Sequence, residues 1–449
     1  MKIVILGAGP TGLGAAYRLS EIGTQDWMLF EGKPYVGGLS ASFYDQAGFT
    51  WDIGGHVLFS HYPYFDKAVR ESLAENYLEH QRECWVRIQG RWVPYPFQNN
   101  IRYLPQPSLD KCLEGLRRLE GDPRESRNFK EWMQRVFGAG IVEYFMEPYN
   151  WKVWGVPADK MSWEWIGERI SVIDRQRIER NIREKRDDVS WGPNNTFKFP
   201  LQGGTGAIFD GIAKPFASRI ALRQNLVMLD LERREVRFSS GRKESFSKLV
   251  STIPLDQLVT FCPQAPPKVC EAAETLAHNS CLIVGFGFRG HREDSRCWMY
   301  FPESNAPFYR VTNLHNYSPL NVAQDGSEYY SLMCETTYSS FKEVDKTKII
   351  EDTFEGLLNV GLIDQADTEN VTSTYVMDIP YSYPIPTIRR DEALKEIQGF
   401  FEYHSVYSRG RFGAWKYEVG NMDHSFMQGV EVVDRILSGS AEKTVNGDV

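Results

Sequence analysis

With 449 residues, 42 % of them hydrophobic, the chain has apolar material for two or three domains around a substantial core, which excludes a single small binding module. A net charge of −8 without a dense basic run excludes a surface that tracks a nucleic-acid backbone, and no uninterrupted apolar stretch reaches the length of a membrane span. Seven scattered cysteines (Cys84, Cys112, Cys262, Cys270, Cys281, Cys297 and Cys334) show neither CxxC spacing nor histidine pairing, so reduced thiols are expected, with no metal and no disulfide framework.

The chain opens on MKIVILGAGPTGLG. Ile3 to Leu6 predict a buried parallel strand, followed by Gly7-x-Gly9-x-x-Gly12 and then by Leu13, Ala15, Ala16 and Leu19 at helical spacing. Gly7 allows the sharp turn, Gly9 lets backbone N–H groups approach a pyrophosphate, and Gly12 lets helix and strand pack closely; Pro10 and Thr11 lie in the same cradle. Glu31 ends the next apolar run, WMLF, near the spacing at which a carboxylate accepts from an adenosine ribose. A second glycine turn, Gly37 and Gly38 with Leu39 and Ser40, is not required by a plain nicotinamide fold. It resembles the FAD signature of the glutathione-reductase and amine-oxidase flavoproteins. Because the opening strand runs straight into a glycine turn, where a signal peptide would continue apolar, a soluble, cytoplasmic protein without membrane insertion is expected.

Residues 40–53 alternate like a hairpin, and Gly54-Gly55-His56 forms a tight loop. A second hairpin is expected over 85–93 with its turn at Gln89-Gly90. From 109 to about 186 the periodicity becomes helical, as in NFKEWMQRVFG, and predicts an inserted helical domain; 185–195 reads as a loop. Gly203, Gly204 and Gly206 precede a helix over 207–218, and strands at 226–231, 235–239 and 248–252 predict a sheet that returns to the first domain. Alternating runs between 277 and about 381 predict an antiparallel sheet with a helix at 348–358, and the tail ends in a helix over about 424–437. The expected fold class is α/β: a discontinuous Rossmann-like FAD-binding domain (1–80, 199–265 and 405–449), an inserted helical domain (105–195), and an antiparallel β-sheet domain (81–104 and 266–404) that completes a substrate site.

The strings GGHVLFSHYPYFD, VPYPFQNN, EPYNWKVWGVP, WGPNNTFKFP, CWMYFPESNAPFYR and SRGRFGAWKYEVGNMDHSFMQGVE resemble UDP-galactopyranose mutase, in particular its eukaryotic-type branch, and with the cradle they span nearly the whole chain. The resemblance implies an isomerase that interconverts pyranose and furanose forms of a UDP-sugar through attack of reduced flavin N5 on the anomeric carbon, without net redox change. Galactose is the family default, giving galactofuranose as product, while arabinose and N-acetylgalactosamine stay open because pocket shape decides between such sugars. An amine-oxidase-like oxidoreductase and a flavoprotein that binds a UDP-sugar without turnover also stay open, since fold alone does not separate them.

By the same resemblance, Arg169 and Arg310 take the pyrophosphate, and guanidinium forks suit that work because they are always charged and bind phosphate in two places. Tyr95, Phe97 and Gln98, with Phe145, Asn150 and Trp154, form the uridine pocket. Tyr317, Tyr383 and Tyr417 reach the pyrophosphate, and Asn194, Trp298 and Tyr300 complete the substrate side. Gly55 and His56 lie against the isoalloxazine, Gly420, Asn421, Met422 and Ser425 open the last helix at the flavin's pyrimidine edge, and Arg411 stands nearby. His56, Arg169, Arg310 and Arg411 are the implied catalytic residues. Arg82 matches an arginine used for the nicotinamide reductant, NADPH or NADH, but Cys84 stands where a serine is expected. Short segments at 318–327 and after 437 depart from the family and leave a homo-oligomer open.

Overall fold

Ile3 and Ile5 bury against one layer of helices, Val4 and Leu6 against another, so the opening strand is covered on both faces. This follows from its place in a five-stranded parallel sheet of order Val406–Ser408, Lys248–Ser251, Ile3–Leu6, Trp27–Phe30, Ile220–Ala221. The computed structural model describes the chain apart from residues 190, 193, 194, 448 and 449. Parallel neighbours require long crossovers, and here the crossovers carry the rest of the molecule. Helices Pro10–Ile22, Pro63–Leu73, Gly206–Ala213 and Met422–Ser438 cover one face of the sheet. Helices Leu255–Thr260, Pro267–Glu274 and Arg390–Tyr403 cover the other, together with a meander of Leu226–Asp230, Glu235–Phe238 and Lys243–Ser245.

Of the three segments expected to form strands here, Lys248–Ser251 enters the parallel sheet, while Leu226–Asp230 and Glu235–Phe238 pair in the meander, because the short turn at 231–234 permits only antiparallel pairing.

The second large sheet has seven strands in the order Val371–Ile385, Ala277–Arg289, Tyr329–Tyr338, Arg310–Thr312, Trp298–Tyr300, Cys84–Ile88, Arg91–Pro94. All its pairs are antiparallel except Trp298–Tyr300 beside Cys84–Ile88, which join segments far apart in sequence and run parallel. The hairpin at its end turns at Gln89 and Gly90, both at positive φ (48° and 72°), the combination that matches strand twist in a two-residue turn. The helical block comprises Gln106–Arg117, Phe129–Ile141, a π-turn at Val142–Met146, Glu147–Trp154 and Arg175–Glu184. Tyr95, Tyr149, Tyr300 and Tyr383 pack against both its core and that of the sheet, so the seam between the two is aromatic. No helix among the described residues is long and apolar enough to cross a membrane.

Candidate active site

Gly7 has φ +99°, and a Cβ placed on Gly12 would lie 1.8 Å from the Gly7 carbonyl oxygen, so neither position accepts a side chain. Gly9 is different: its φ of −75° suits any residue, and an added Cβ would meet only the Cα of Gly38, at 3.8 Å. The two glycine turns thus face each other, with Gly37 N–H donating to the Ala8 carbonyl at 2.8 Å. Helix Pro10–Ile22 starts between them without a side-chain cap and leaves its first N–H groups aimed at this gap. Glu31 accepts from the N–H groups of Ala8 and Lys33, both at 2.7 Å; burial pushes its carboxyl up despite those bonds. Leu39 and the buried Ser40 complete the second turn, and Thr11 is buried against Gly410. A cradle that a Cβ on Gly12 would destroy and a Cβ on Gly9 would narrow fits a dinucleotide pyrophosphate.

The hairpin strand Thr50–Asp52 leads into the loop Gly54–His56. Asp52 is buried and accepts from Ser42 Oγ and from the hydroxyl and N–H of Thr205, which fixes the base of the loop; burial pushes its carboxyl up to about 6. Gly54 takes φ +91°, and Gly55 N–H donates to Glu335 Oε1 at 3.0 Å. Glu335 also receives Arg310, Nε to Oε1 at 2.6 Å and Nη2 to Oε2 at 2.8 Å, and the Tyr309 hydroxyl. Burial raises the Glu335 carboxyl, but the Arg310 charge and these hydrogen bonds overcome it and hold the group below the usual carboxylate range. Among the described residues Arg310 Nη1 donates to no protein acceptor.

Burial, then the nearby Arg310 charge, push the His56 imidazole down to about 4, so it is neutral at neutral pH. Between that value and the ordinary ~6.5 the unfolded chain binds a proton that the folded one does not, so stability falls as pH drops through this window. His56→Gln should remove about 1–3 kcal/mol of the loss, the lower end reflecting solvent screening of a part-exposed ring. Urea unfolding of both proteins at pH 7 and pH 4.5 checks this, and identical acid losses would refute it.

Arg169 and Arg411 both approach Tyr417, with guanidinium carbons 5.3 and 5.8 Å from its ring centre; Arg411 also lies 4.8 Å over Tyr383. Arg169 Nη1 donates to Asn421 Oδ1 at 2.7 Å, and Arg411 Nη1 to the Gly420 carbonyl at 3.0 Å. Asn421 is therefore turned away from capping helix Met422–Ser438, whose N-terminus, like that of Pro10–Ile22, has no side-chain cap. Asp423 in its first turn accepts from His61 Nδ1 (2.8 Å) and His424 Nδ1 (3.0 Å), and Ser425 is buried one position further on. Tyr383 and Tyr309 link the two halves through hydroxyls 3.2 Å apart.

The aromatic residues form a continuous wall. Phe97 meets Phe145 at 4.6 Å between ring centres, Phe145 stacks on Tyr149 at 5.1 Å, and Tyr300 bridges from Tyr149 (5.1 Å) to Tyr95 (5.3 Å). The π-turn and the i,i+4 spacing of a helix bring Phe145 and Tyr149 onto one face. Phe97, Phe145 and Trp154 are nearly or fully buried and also serve the core. Asn150 is satisfied within its own helix, donating to the Met146 carbonyl and accepting from Trp154 Nε1. Gln98 donates to the Ser171 carbonyl at 2.7 Å while its Oε1 is buried without a partner. Trp298 Nε1 donates to the Tyr300 hydroxyl, and Tyr317 is fully buried against Phe197 and Phe199 with its hydroxyl unpartnered. Arg82 lies 5.6 Å from the Tyr95 ring centre and donates to the carbonyls of Val189 and Trp191. Asn194 lies outside the described residues.

Three guanidinium groups (Arg169, Arg310, Arg411) against one carboxylate (Glu335) leave an excess of two positive charges in this constellation, equal to the charge of an esterified diphosphate. Sequence reasoning missed Glu335, as well as Tyr309 and Tyr149: the tyrosines read as core and the glutamate as a solvent-facing strand residue, so nothing local marks them.

A family profile described as flavin containing amine oxidoreductase matches residues 10–319. A solved structure of reduced UDP-galactopyranose mutase is 43 % identical, with a TM-score of 0.96 over 100 % of this chain and 96 % of that one. A fatty acid isomerase from P. acnes that produces CLA (TM-score 0.64, 12 % identity, covering 97 % of this chain and 98 % of that one) and a redesigned putrescine oxidase (TM-score 0.65, 13 % identity, covering 98 % and 99 %) share the fold alone. Zeta-carotene desaturase of Zea mays is 33 % identical over 78 residues, which are 17 % of this chain and 14 % of that curated relative's length.

Proposed function

The chain belongs to the UDP-galactopyranose mutase family, among the flavin-containing amine oxidoreductases and thus a binder of FAD, and from that membership we propose that it interconverts the pyranose and furanose rings of a UDP-sugar, UDP-galactose first, without net redox change. The observation that supports this reading most is the diphosphate-sized charge excess of Arg169, Arg310 and Arg411 over Glu335, beside the glycine loop Gly54–His56. FAD, when bound and reduced, supplies the nucleophile that the protein's own side chains lack.

The residues around it bind, orient and compensate charge. Arg169, Arg310 and Arg411 would hold the diphosphate as it gains charge on leaving the anomeric carbon, with donors fixed in advance by Asn421, Glu335 and the Gly420 carbonyl. Tyr383 and Tyr417 add hydroxyls on the same side, and Tyr317 brings a hydroxyl that has no protein partner. The aromatic wall gives the base a stacking face, and the orphaned Gln98 Oε1 is the acceptor an imide N–H would meet. The uncapped N-terminus of Met422–Ser438 would favour negative charge on a reduced flavin bound beside it. Arg82, beside Tyr95, is retained for the nicotinamide reductant, NADPH or NADH, and the cytoplasm as the place of action.

Turnover tests the reading. Dithionite-reduced protein given UDP-galactofuranose should release UDP-galactopyranose for many cycles while no reductant is consumed. One NADPH or one oxygen consumed per product would overturn the proposal in favour of an oxidoreductase.

A further inference from the structure

We propose that Lys152 is a positioning residue that fixes the helix-borne part of the aromatic wall against the strand carrying Arg310, so that a nucleoside diphosphate is gripped at its base and its diphosphate together. This deepens the function proposed above and rests on it. Its basis is a buried ammonium that no carboxylate meets within ion-pair distance among the described residues; backbone carbonyls meet it instead. Lys152 Nζ donates to the carbonyls of Phe301 at 2.9 Å, Glu303 at 2.8 Å and Ala306 at 2.8 Å, and so commits all three of its hydrogens to one loop. Burying a cation in this way is unfavourable unless its bonds are fully made. Burial and the neighbouring Lys342 pull the group down to about 7, with Glu303 acting in the opposite sense.

The loop joins strand Trp298–Tyr300 to strand Arg310–Thr312, in which Tyr300 and Arg310 stand directly opposite each other. Its outer part is tied elsewhere, with Gln89 N–H donating to Glu303 Oε2 and Asn359 Nδ2 to the Asn305 carbonyl. Lys152 ties it to helix Glu147–Trp154. Three residues earlier on the same helix face, Tyr149 packs on Tyr300 and Tyr309, at 5.1 and 6.4 Å between ring centres, at the two ends of the loop. The helix end meets the large sheet through its own carbonyls: Thr337 Oγ1 donates to that of Lys152, and Asn279 Nδ2 to those of Val153 (2.9 Å) and Trp154 (3.0 Å). Those bonds fix where the helix ends, whereas the Lys152 side chain fixes how its Tyr149 face lies on the strands bearing Tyr300 and Arg310. With Phe145 and Tyr149 stacking the base and Arg310 taking the diphosphate, this clasp sets the span between the two anchors.

Lys152→Met keeps the apolar stem and removes the three donors. A cavity of about 470 Å³ opens beside Lys152, Trp151, Pro302 and Lys342, so water reaches the abandoned carbonyls and the variant should fold. UDP and uridine are the probes, each titrated into FAD-loaded protein, uridine by ligand-observed NMR. A ligand that engages two anchors gains from their fixed separation and one that engages a single anchor does not, so Lys152→Met should weaken UDP about tenfold and uridine less than about twofold. Lys152→Arg, which keeps charge and donors but changes their reach, should lose a smaller part of the preference for UDP. Lys342→Met removes the neighbouring cation, leaves the three bonds in place and should keep the wild-type preference.

General loosening of the fold would weaken both ligands by one factor and leave the ratio of uridine Kd to UDP Kd unchanged. That wild-type ratio in Lys152→Met, or in Lys152→Arg should the methionine variant not fold, would overturn the inference, and so would an equal fall of the ratio in Lys342→Met. A wild type that binds UDP no more tightly than uridine would instead remove the functional reading itself.

Discussion

Replacing Arg310 by alanine is expected to lower kcat/KM by about 2–5 kcal/mol, or roughly thirty- to several-thousand-fold, because a diphosphate would lose a guanidinium fork in a partly enclosed site. The same change should also destabilise the fold, since the buried Glu335 carboxylate would lose its cationic partner, the only one among the described residues; breaking such a pair costs about 3–5 kcal/mol. Arg169→Ala should reduce kcat/KM comparably yet leave stability close to wild type, because the groups it abandons, Asn421 Oδ1 and the Glu418 carbonyl, are neutral. The double variant Arg310→Ala with Glu335→Gln separates the two effects: stability should recover and activity should not. Steady-state kinetics and urea unfolding on the four proteins check this. Unchanged kcat/KM in both single arginine variants would show that the diphosphate lies elsewhere.

Gly9→Ala is expected to give a folded protein that retains less FAD than wild type. The backbone at Gly9 accepts alanine, and the added methyl meets no protein atom closer than the Gly38 Cα at 3.8 Å, so the apoprotein should keep near-wild-type stability. The methyl does occupy the gap between the two glycine turns, where overpacking a bound pyrophosphate costs about 1–3 kcal/mol and should weaken FAD roughly five- to a hundred-fold. Gly12→Ala makes the contrast, because its Cβ would lie 1.8 Å from a backbone oxygen and should unfold the domain outright. Flavin absorbance per protein together with thermal unfolding distinguishes the cases; full FAD occupancy in Gly9→Ala would show that the gap does not hold the cofactor.

Several elements were not legible from periodicity. Helix Arg390–Tyr403 buries Ala393, Leu394, Ile397 and Phe401, a helical stripe, but the strand-like string before it masks its start. Strand Val371–Ile385 ends a few residues beyond the expected limit near 381 and contains Pro380 and Pro384, which its place at a sheet edge tolerates. The expected helix at 348–358 and the hairpin turn at Gln89-Gly90 lie within a residue or two of their observed places, since both depend on neighbours in sequence.

By itself the sequence determined what local chemistry can encode. The strand, glycines and acid of the cradle lie at fixed short spacings, so the strand–turn–helix at Gly7, Gly9 and Gly12, the acid Glu31 and the second turn at Gly38 were expected before any coordinate. Long motif strings likewise carried the family. What only the tertiary structure decided is which groups share a charge. Arg310 and Glu335 stand 25 positions apart and Gly55 lies 280 positions from Glu335, and they meet because strand Arg310–Thr312 pairs with Tyr329–Tyr338 while the loop after Thr50–Asp52 folds over both. Burial finishes the assignment: a glutamate in YYSLMCE reads as a solvent-facing strand residue, and it becomes the acceptor for four donors only because the sheet places it where water is excluded and its charge must be met by protein.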